Sequence, residues 1–133
     1  MSLNNPNPGL GFVPEYQVSS WPYVTSSEVA TSGDIKEIQF PGVTRWIQIH
    51  NGDHAGGSEL SFGFTRNCFK AANSNYFSLH AGEMTDRLEL KCKSIFITAN
   101  NNSTPFSIIA GYTGINTGSF PTMTGSAGWL GIG

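Results

Sequence analysis

Charged residues are scarce in this chain. Only 12% of its 133 residues are Asp, Glu, Lys or Arg, about half the usual share in soluble domains. Seven basic against nine acidic side chains give a net charge of −2, so no basic excess is present to neutralise phosphates and we expect no direct binding of nucleic acid. The longest aliphatic run is Ile108-Ile109-Ala110. It is far short of the ~20 residues that span a bilayer, so we expect no membrane insertion.

Cysteine is also rare. The two cysteines, Cys68 and Cys92, are too few for a disulfide framework. The residues Met1–Pro6 show neither the basic nor the apolar region of a signal peptide, so we expect a protein that is not secreted. Both cysteines are therefore predicted to be reduced and unliganded, and a single Cys68–Cys92 bridge is the alternative.

Motifs that carry chemistry are missing as well. The sequence contains no Gly-x-Ser-x-Gly nucleophile motif, and Pro14 stands where a dinucleotide fingerprint starting at Gly9 needs its third glycine. The nearest approach to a metal site is His50-Asn51-Gly52-Asp53-His54, with His80 elsewhere. A hairpin turn with polar tips explains that run without a metal. We therefore predict a protein that is not an enzyme and has no cofactor and no metal.

What is present is a series of short stretches in which apolar and polar residues mostly alternate. In Glu59–Thr65, for example, Leu60, Phe62 and Phe64 alternate with polar residues or glycine. Seven such stretches, one of them over 87–93, lie between residues 34 and 112 at a spacing of about ten residues. An extended aromatic segment, 15–24, precedes them, and no stretch has the periodicity of a helix of three turns. The pattern predicts an all-β fold, an antiparallel eight-stranded jelly-roll sandwich. Its predicted core is Ile38, Phe40, Ile47, Ile49, Leu60, Phe62, Phe64, Leu79, Leu88, Leu90, Ile95, Ile97, Phe106 and Ile108.

Proline and glycine divide the chain into three parts. Residues 1–24 form an extended aromatic and Pro-rich arm, residues 25–115 the single jelly-roll domain, and residues 116–133 a Gly/Ser/Thr-rich tail with interspersed apolar residues. Pro22 restricts the aromatic part of the arm to an edge strand or to a segment lying on another surface. We expect the jelly roll to fold without the arm, and the tail to be ordered only when it packs on something.

Aromatic residues of the arm and tail are the predicted partner interface. Tryptophan and tyrosine are enriched in interface cores, and their apolar surface is costly to leave in water. The predicted interface residues are Phe12, Tyr16, Trp21, Tyr23 and Trp129. An arm that caps its own sandwich is the alternative.

Two stretches of the sequence resemble a known family. The arm residues 12–27, FVPEYQVSSWPYVTSS, precede a compact run of short strands, which closes with residues 105–115, PFSIIAGYTGI. Over residues 12–115 the chain resembles the single-jelly-roll vertex (penton) capsid proteins of large icosahedral nucleocytoplasmic DNA viruses, of the chlorella-virus and marseillevirus kind. The resemblance implies homopentamers at the five-fold vertices of a virion, in contact with the major capsid protein and minor capsid proteins. It also implies assembly in the host cytoplasm.

Two other jelly-roll functions compete with this interpretation. A carbohydrate-binding, lectin-like module could use Trp46 as a stacking platform beside Asn51 and Asp53. A metal-dependent enzyme of the cupin kind would need several histidines that point into the barrel. His50 alternates away from the core face of Ile47 and Ile49, which argues against the enzyme.

Overall fold

The structure, a computed structural model, describes residues 20–53, 57–70 and 74–120. Seven strands account for most of its regular structure, and the only helical residues in these ranges are two short 3-10 turns, Arg66–Phe69 and Thr117–Ser119. The described part of the chain is therefore all-β, as predicted. The strands are β1 (Trp21–Val29), β2 (Lys36–Gln39), β3 (Thr44–Asn51), β4 (Leu60–Gly63), β5 (Phe77–Leu79), β6 (Ser94–Ala99) and β7 (Thr104–Tyr112).

The strands form two antiparallel sheets. One sheet has the order β1-β7-β3, and the other has the order β2-β6-β4-β5. β7 lies in the middle of the first sheet, where it pairs with β1 from Trp21↔Tyr112 to Val29↔Thr104. Its other edge pairs with β3, with a bulge between Thr44 and Trp46. The result is a two-layer sandwich in which each sheet turns one face towards the other.

The core lies between the sheets and follows the predicted alternation. All but three of the predicted core residues are buried, and Phe64, Leu88 and Leu90 are partly buried and pack against the others. On β7 the alternation selects Ile108, which is 1% exposed, over Ile109, which is 40% exposed. Ile108 shares its face with the buried residues Phe106 and Ala110, because side chains two residues apart point the same way along a strand.

The predicted strand over 87–93 is not a regular strand. Residues 83–93, which we call the edge segment, run beside β3 but join it through isolated bridges and scattered hydrogen bonds. Leu88 and Ile47 exchange two backbone bonds, of 2.8 and 3.0 Å. Near the end of the segment the Thr44 hydroxyl accepts from the Cys92 amide (2.9 Å) and donates to the Leu90 carbonyl (3.0 Å). A side chain thus takes the place of a backbone partner, and the ladder is interrupted.

β1 crosses the predicted boundary between arm and jelly roll at residues 24 and 25. Val29 is 1% exposed, and the Tyr23 ring packs edge-on against Phe40 at a centroid distance of 5.3 Å. β7 is nine residues long and pairs with β1 along its whole length. Trp21–Val24 therefore belong to the sheet as an edge strand, and a chain that begins at residue 25 lacks part of it. Residues 1–19 lie outside the described residues.

The first residues of the predicted tail pack on their own sandwich. Val43, Ile115 and Phe120 form a second buried cluster, and Phe64 packs against it. The backbone joins the same region, since the Val43 amide donates to the Ile115 carbonyl at 3.1 Å. The tail up to Phe120 is thus ordered by contacts within the chain, and residues 121–133, with Trp129, lie outside the described residues.

Candidate interaction surfaces

The outer face of the three-stranded sheet carries exposed apolar side chains. Val24 and Ile109 are partners in the β1–β7 register, and Met84 of the edge segment forms a bridge with His50 of β3. We call Val24, Met84 and Ile109 the outer apolar face; they are 67%, 59% and 40% exposed. They line a shallow hollow of about 350 Å³ together with Gln48 and His50. Exposed apolar patches of this kind are typical of protein–protein interfaces.

The sequence pattern did not single out this face. Val24 and Ile109 are 85 positions apart in the chain, and only the β1–β7 pairing brings them together. The sequence does contain a sign of it, because Val24 and Ile109 are apolar residues at outward positions of their strands. Without the strand order, however, two separate outward residues cannot be recognised as one patch.

Two of the predicted interface aromatics lie in β1, and they have different surroundings. Trp21 is 66% exposed at the end of the strand, where its ring meets Tyr112 edge-on at 5.8 Å. Tyr23 is half-buried and packs on Phe40 and the core. Trp21 is therefore available to a partner, whereas much of Tyr23 is used inside the subunit. Phe12, Tyr16 and Trp129 lie outside the described residues.

A separate apolar groove opens at the side of the sandwich, between β5 and the edge segment. This side groove has a volume of about 700 Å³, and its apolar lining residues are Phe62, Phe64, Phe77, Leu79, Met84, Leu88 and Leu90. Phe77 is 61% exposed there. Polar lining residues include His80, Glu83 and Asp86.

Asn51 and Asp53, the proposed sugar ligands, have structural partners. Asn51 is fully buried, and its amide nitrogen donates to the carbonyls of Ser58 (2.9 Å) and Leu79 (3.0 Å). Its side-chain oxygen accepts from the Asp53 amide at 3.1 Å, and the Asp53 carboxylate accepts from the Ser58 amide at 2.8 Å. The prediction of a polar turn tip was therefore wrong for Asn51, because the side chain turns inward to satisfy buried carbonyls.

Trp46 does not offer an open platform. The Arg87 guanidinium lies over its ring, 4.9 Å from the centroid, and the residue is half-buried. A sugar that stacked on this face of the ring would have to displace the cation–π contact.

The histidines do not converge on a metal site within the described ranges. His50 lies on the outer face beside Met84, and His80 Nδ1 is 3.5 Å from Glu59 Oε2. Among the described residues no group of three or more His, Cys, Asp or Glu is placed to hold a metal ion. His54 lies outside those residues.

Both cysteines are buried free thiols. Burial raises the pKa of Cys92 to about 11, and the hydrogen bond with Thr44 only partly opposes that shift. Burial also raises the pKa of Cys68. Because the thiolate is the nucleophile and the metal ligand, neither side chain is prepared for chemistry at neutral pH.

No protein-family model and no curated protein matches this chain. Within the described residues, the structure contains no helix with the length and apolar character needed to cross a membrane. The function is therefore inferred from the strand pairing and from the surfaces described above.

Proposed function

We propose that this protein is a structural capsid subunit with a single jelly-roll fold. In this proposal it is the penton protein, which forms homopentamers at the five-fold vertices of an icosahedral virion assembled in the host cytoplasm. It contacts the major capsid protein and minor capsid proteins there, and it has no catalytic role.

The nested pairing of the strands carries the proposal. If the edge segment is counted as the sixth of eight strands, the first strand pairs with the eighth (β1 with β7) and the second with the seventh (β2 with β6). The third lies beside the sixth (β3 beside the edge segment), and the fourth pairs with the fifth (β4 with β5). Each sheet then has four members. Eight antiparallel strands folded over in this way are the plan of a jelly roll.

Jelly rolls serve as viral capsid domains, lectins and cupins, and the surfaces of this one favour the first use. Of the residues proposed for sugar binding, Trp46 has the Arg87 guanidinium over its ring, and the Asn51 amide nitrogen donates to the Ser58 carbonyl. In contrast, the outer apolar face is exposed and suits contact with another protein. A charged fraction of only 12% also keeps repulsion between five identical copies small.

The mass of the assembled full-length protein tests the proposal. Native mass spectrometry and light scattering should find a species of about 71.5 kDa, five times the 14.3 kDa chain. On co-expression with the major capsid protein, electron microscopy should find this species at the vertices of the particles. A protein that stays monomeric and is excluded from particles would contradict the capsid role. If that monomer bound glycans, and Trp46→Ala abolished the binding, the lectin-like alternative would replace it.

A further inference from the structure

β1 lies at an open edge of the three-stranded sheet. In the described part of the chain β7 is the only strand that pairs with β1. The pairing runs in one continuous register over all nine residues of β1. The opposite edge of the same sheet, along β3, is occupied by the edge segment. A long and regular strand edge presents backbone groups on which another extended chain can add.

The hydrogen bonds of β3 allow the direction of the backbone groups in β1 to be worked out. Ile47, Ile49 and Asn51 of β3 all make backbone hydrogen bonds to the edge segment. Residues along an antiparallel strand bond alternately to one side and to the other. The residues between these three therefore bond to β7, where their register partners are Ser107 and Ile109.

The same alternation continues across β7 into β1. Ser107 and Ile109 bond to β3, so the residues on either side of them bond to β1, where they face Tyr23, Thr25 and Ser27. The backbone groups that point away from the sheet are then those of Pro22, Val24, Ser26 and Glu28. Proline suits such a position, because it has no N–H group and edge strands tolerate it with that side towards solvent. Each of the other three residues offers both an N–H and a C=O group to a partner.

The side chains beside this edge define the chemistry of the partner. Val24 is 67% exposed and belongs to the outer apolar face, so an added strand would extend that face and cover Val24 with an apolar residue. Glu28 is exposed and is the only charged residue of β1, so a basic residue opposite it gives charge complementarity. Lys36, which donates to the Ser27 hydroxyl at 2.6 Å, lies towards the other face of the strand. The partner segment therefore carries its apolar and basic residues four positions apart.

A second copy of β1 fits this edge less well. If two copies paired antiparallel along the whole of β1, Pro22 of each copy would lie opposite Glu28 of the other. Glu28 would then meet no positive charge. Its carbonyl would also meet no N–H group, because proline has none.

We propose that β1 binds an extended segment of a different protein by antiparallel β-strand addition, with an apolar residue beside Val24 and a basic residue beside Glu28. Backbone hydrogen bonds supply the affinity, and the two side chains supply the selectivity. A subunit outside any capsid carries the same edge, so this binding does not require five-fold assembly.

Calorimetric titration of the full-length protein with a synthetic strand tests the proposal. The probe is the peptide acetyl-Lys-Thr-Thr-Thr-Ile-Thr-Val-amide, whose lysine and isoleucine are four positions apart. N-methylation of its third and fifth residues removes two donors to β1 and should weaken binding about tenfold or more. N-methylation of its second and fourth residues, whose N–H groups point away from β1, should leave binding unchanged. Equal effects of the two methylations, or no binding at millimolar peptide, would overturn the proposal.

Variants of β1 locate the binding site. Ser26→Pro removes an outward N–H group and should weaken binding about tenfold, whereas Ser26→Ala keeps that group and should bind like the wild type. Circular dichroism shows whether both variants remain folded. Glu28→Gln, at an exposed position, should abolish the preference for this peptide over the same peptide with glutamate in place of lysine. A preference that survived in Glu28→Gln would contradict the assigned register.

Hydrogen exchange measured by nuclear magnetic resonance distinguishes the two possible occupants. The amides of Val24, Ser26 and Glu28 should exchange rapidly in the free protein and about tenfold more slowly with the peptide bound, whereas the Thr25 amide should be slow in both states. Slow exchange of the outward amides in the free protein that is lost on dilution would show that a second copy occupies the edge. That result would overturn the assignment to a different protein.

Discussion

Replacing Asn51 by alanine should destabilise the protein far more than its place in an Asn-Gly-Asp turn indicates. Asn51 is fully buried at the end of β3. Its side chain makes hydrogen bonds to the Ser58 and Leu79 carbonyls and to the Asp53 amide, at 2.9, 3.0 and 3.1 Å. These three bonds join β3, the loop before β4 and the end of β5.

The magnitude follows from what the substitution leaves behind. Each intramolecular hydrogen bond contributes about 0.5–1.5 kcal/mol, and a buried group left without a partner costs about 1–3 kcal/mol. Water can enter part of the space, so we expect a loss of about 3 kcal/mol in the free energy of unfolding. For a chain of this length that loss lowers the melting temperature by roughly 10 °C.

Thermal unfolding followed by circular dichroism measures this effect. The matched control is Asn101→Ala, since Asn101 is exposed and donates one bond of 3.2 Å to the Ser58 hydroxyl. The control should lose less than about 1 kcal/mol. If Asn51→Ala melted like the control, Asn51 would not be the anchor of the loop. Its buried position would then need another explanation.

Three further predictions follow from burial and packing. Burial raises the pKa of Cys92 to about 11 from an ordinary 9.0, so the folded state keeps a proton that the unfolded state loses. The resulting stability is fully present below about pH 9 and is lost towards pH 11, and urea unfolding between those values should show a steeper decline for the wild type than for Cys92→Ala. A Cβ on Gly42 would collide with the Thr113 carbonyl oxygen, so Gly42→Ala should lower the free energy of unfolding by about 1–3 kcal/mol in the same assay, and wild-type stability would contradict that close contact. Val24→Asp should leave the melting temperature near that of the wild type but reduce assembly in native mass spectrometry. Thr31→Asp, at an exposed site outside the outer apolar face, should assemble normally, and equal assembly of both variants would exclude this face from the interface.

Alternation along single strands made most of the core predictable. In β4 and β7 it identified Leu60, Phe62, Phe106 and Ile108 without knowledge of the partner strands. This succeeds because side chains of a strand point to opposite faces in turn, and a half-buried sheet needs apolar residues on one face only.

The remaining features depend on contacts between distant parts of the chain. Residues 87–93 alternate like a strand, but the Thr44 hydroxyl takes backbone partners that a regular ladder would use. Asn51 belongs to a strong turn signal, yet it is buried because the carbonyl of Leu79, 28 positions away, needs a donor. The outer apolar face arises only where β1 pairs with β7. Local patterns specify faces and turns, whereas strand order and side-chain partners must come from the fold.

The edge segment also determines how this sheet can meet other chains. Without it, β3 would present a row of unpaired backbone groups, the kind of edge on which a foreign strand can add. Residues 83–93 occupy that edge, and the exposed side chains of Arg87, Glu89 and Lys91 project from it, with Arg87 and Glu89 paired at 3.1 Å. A second molecule approaching there meets charge and an irregular backbone, so β-strand addition cannot propagate in that direction. This edge of the sheet is thereby protected against fibril-like growth by β-strand addition.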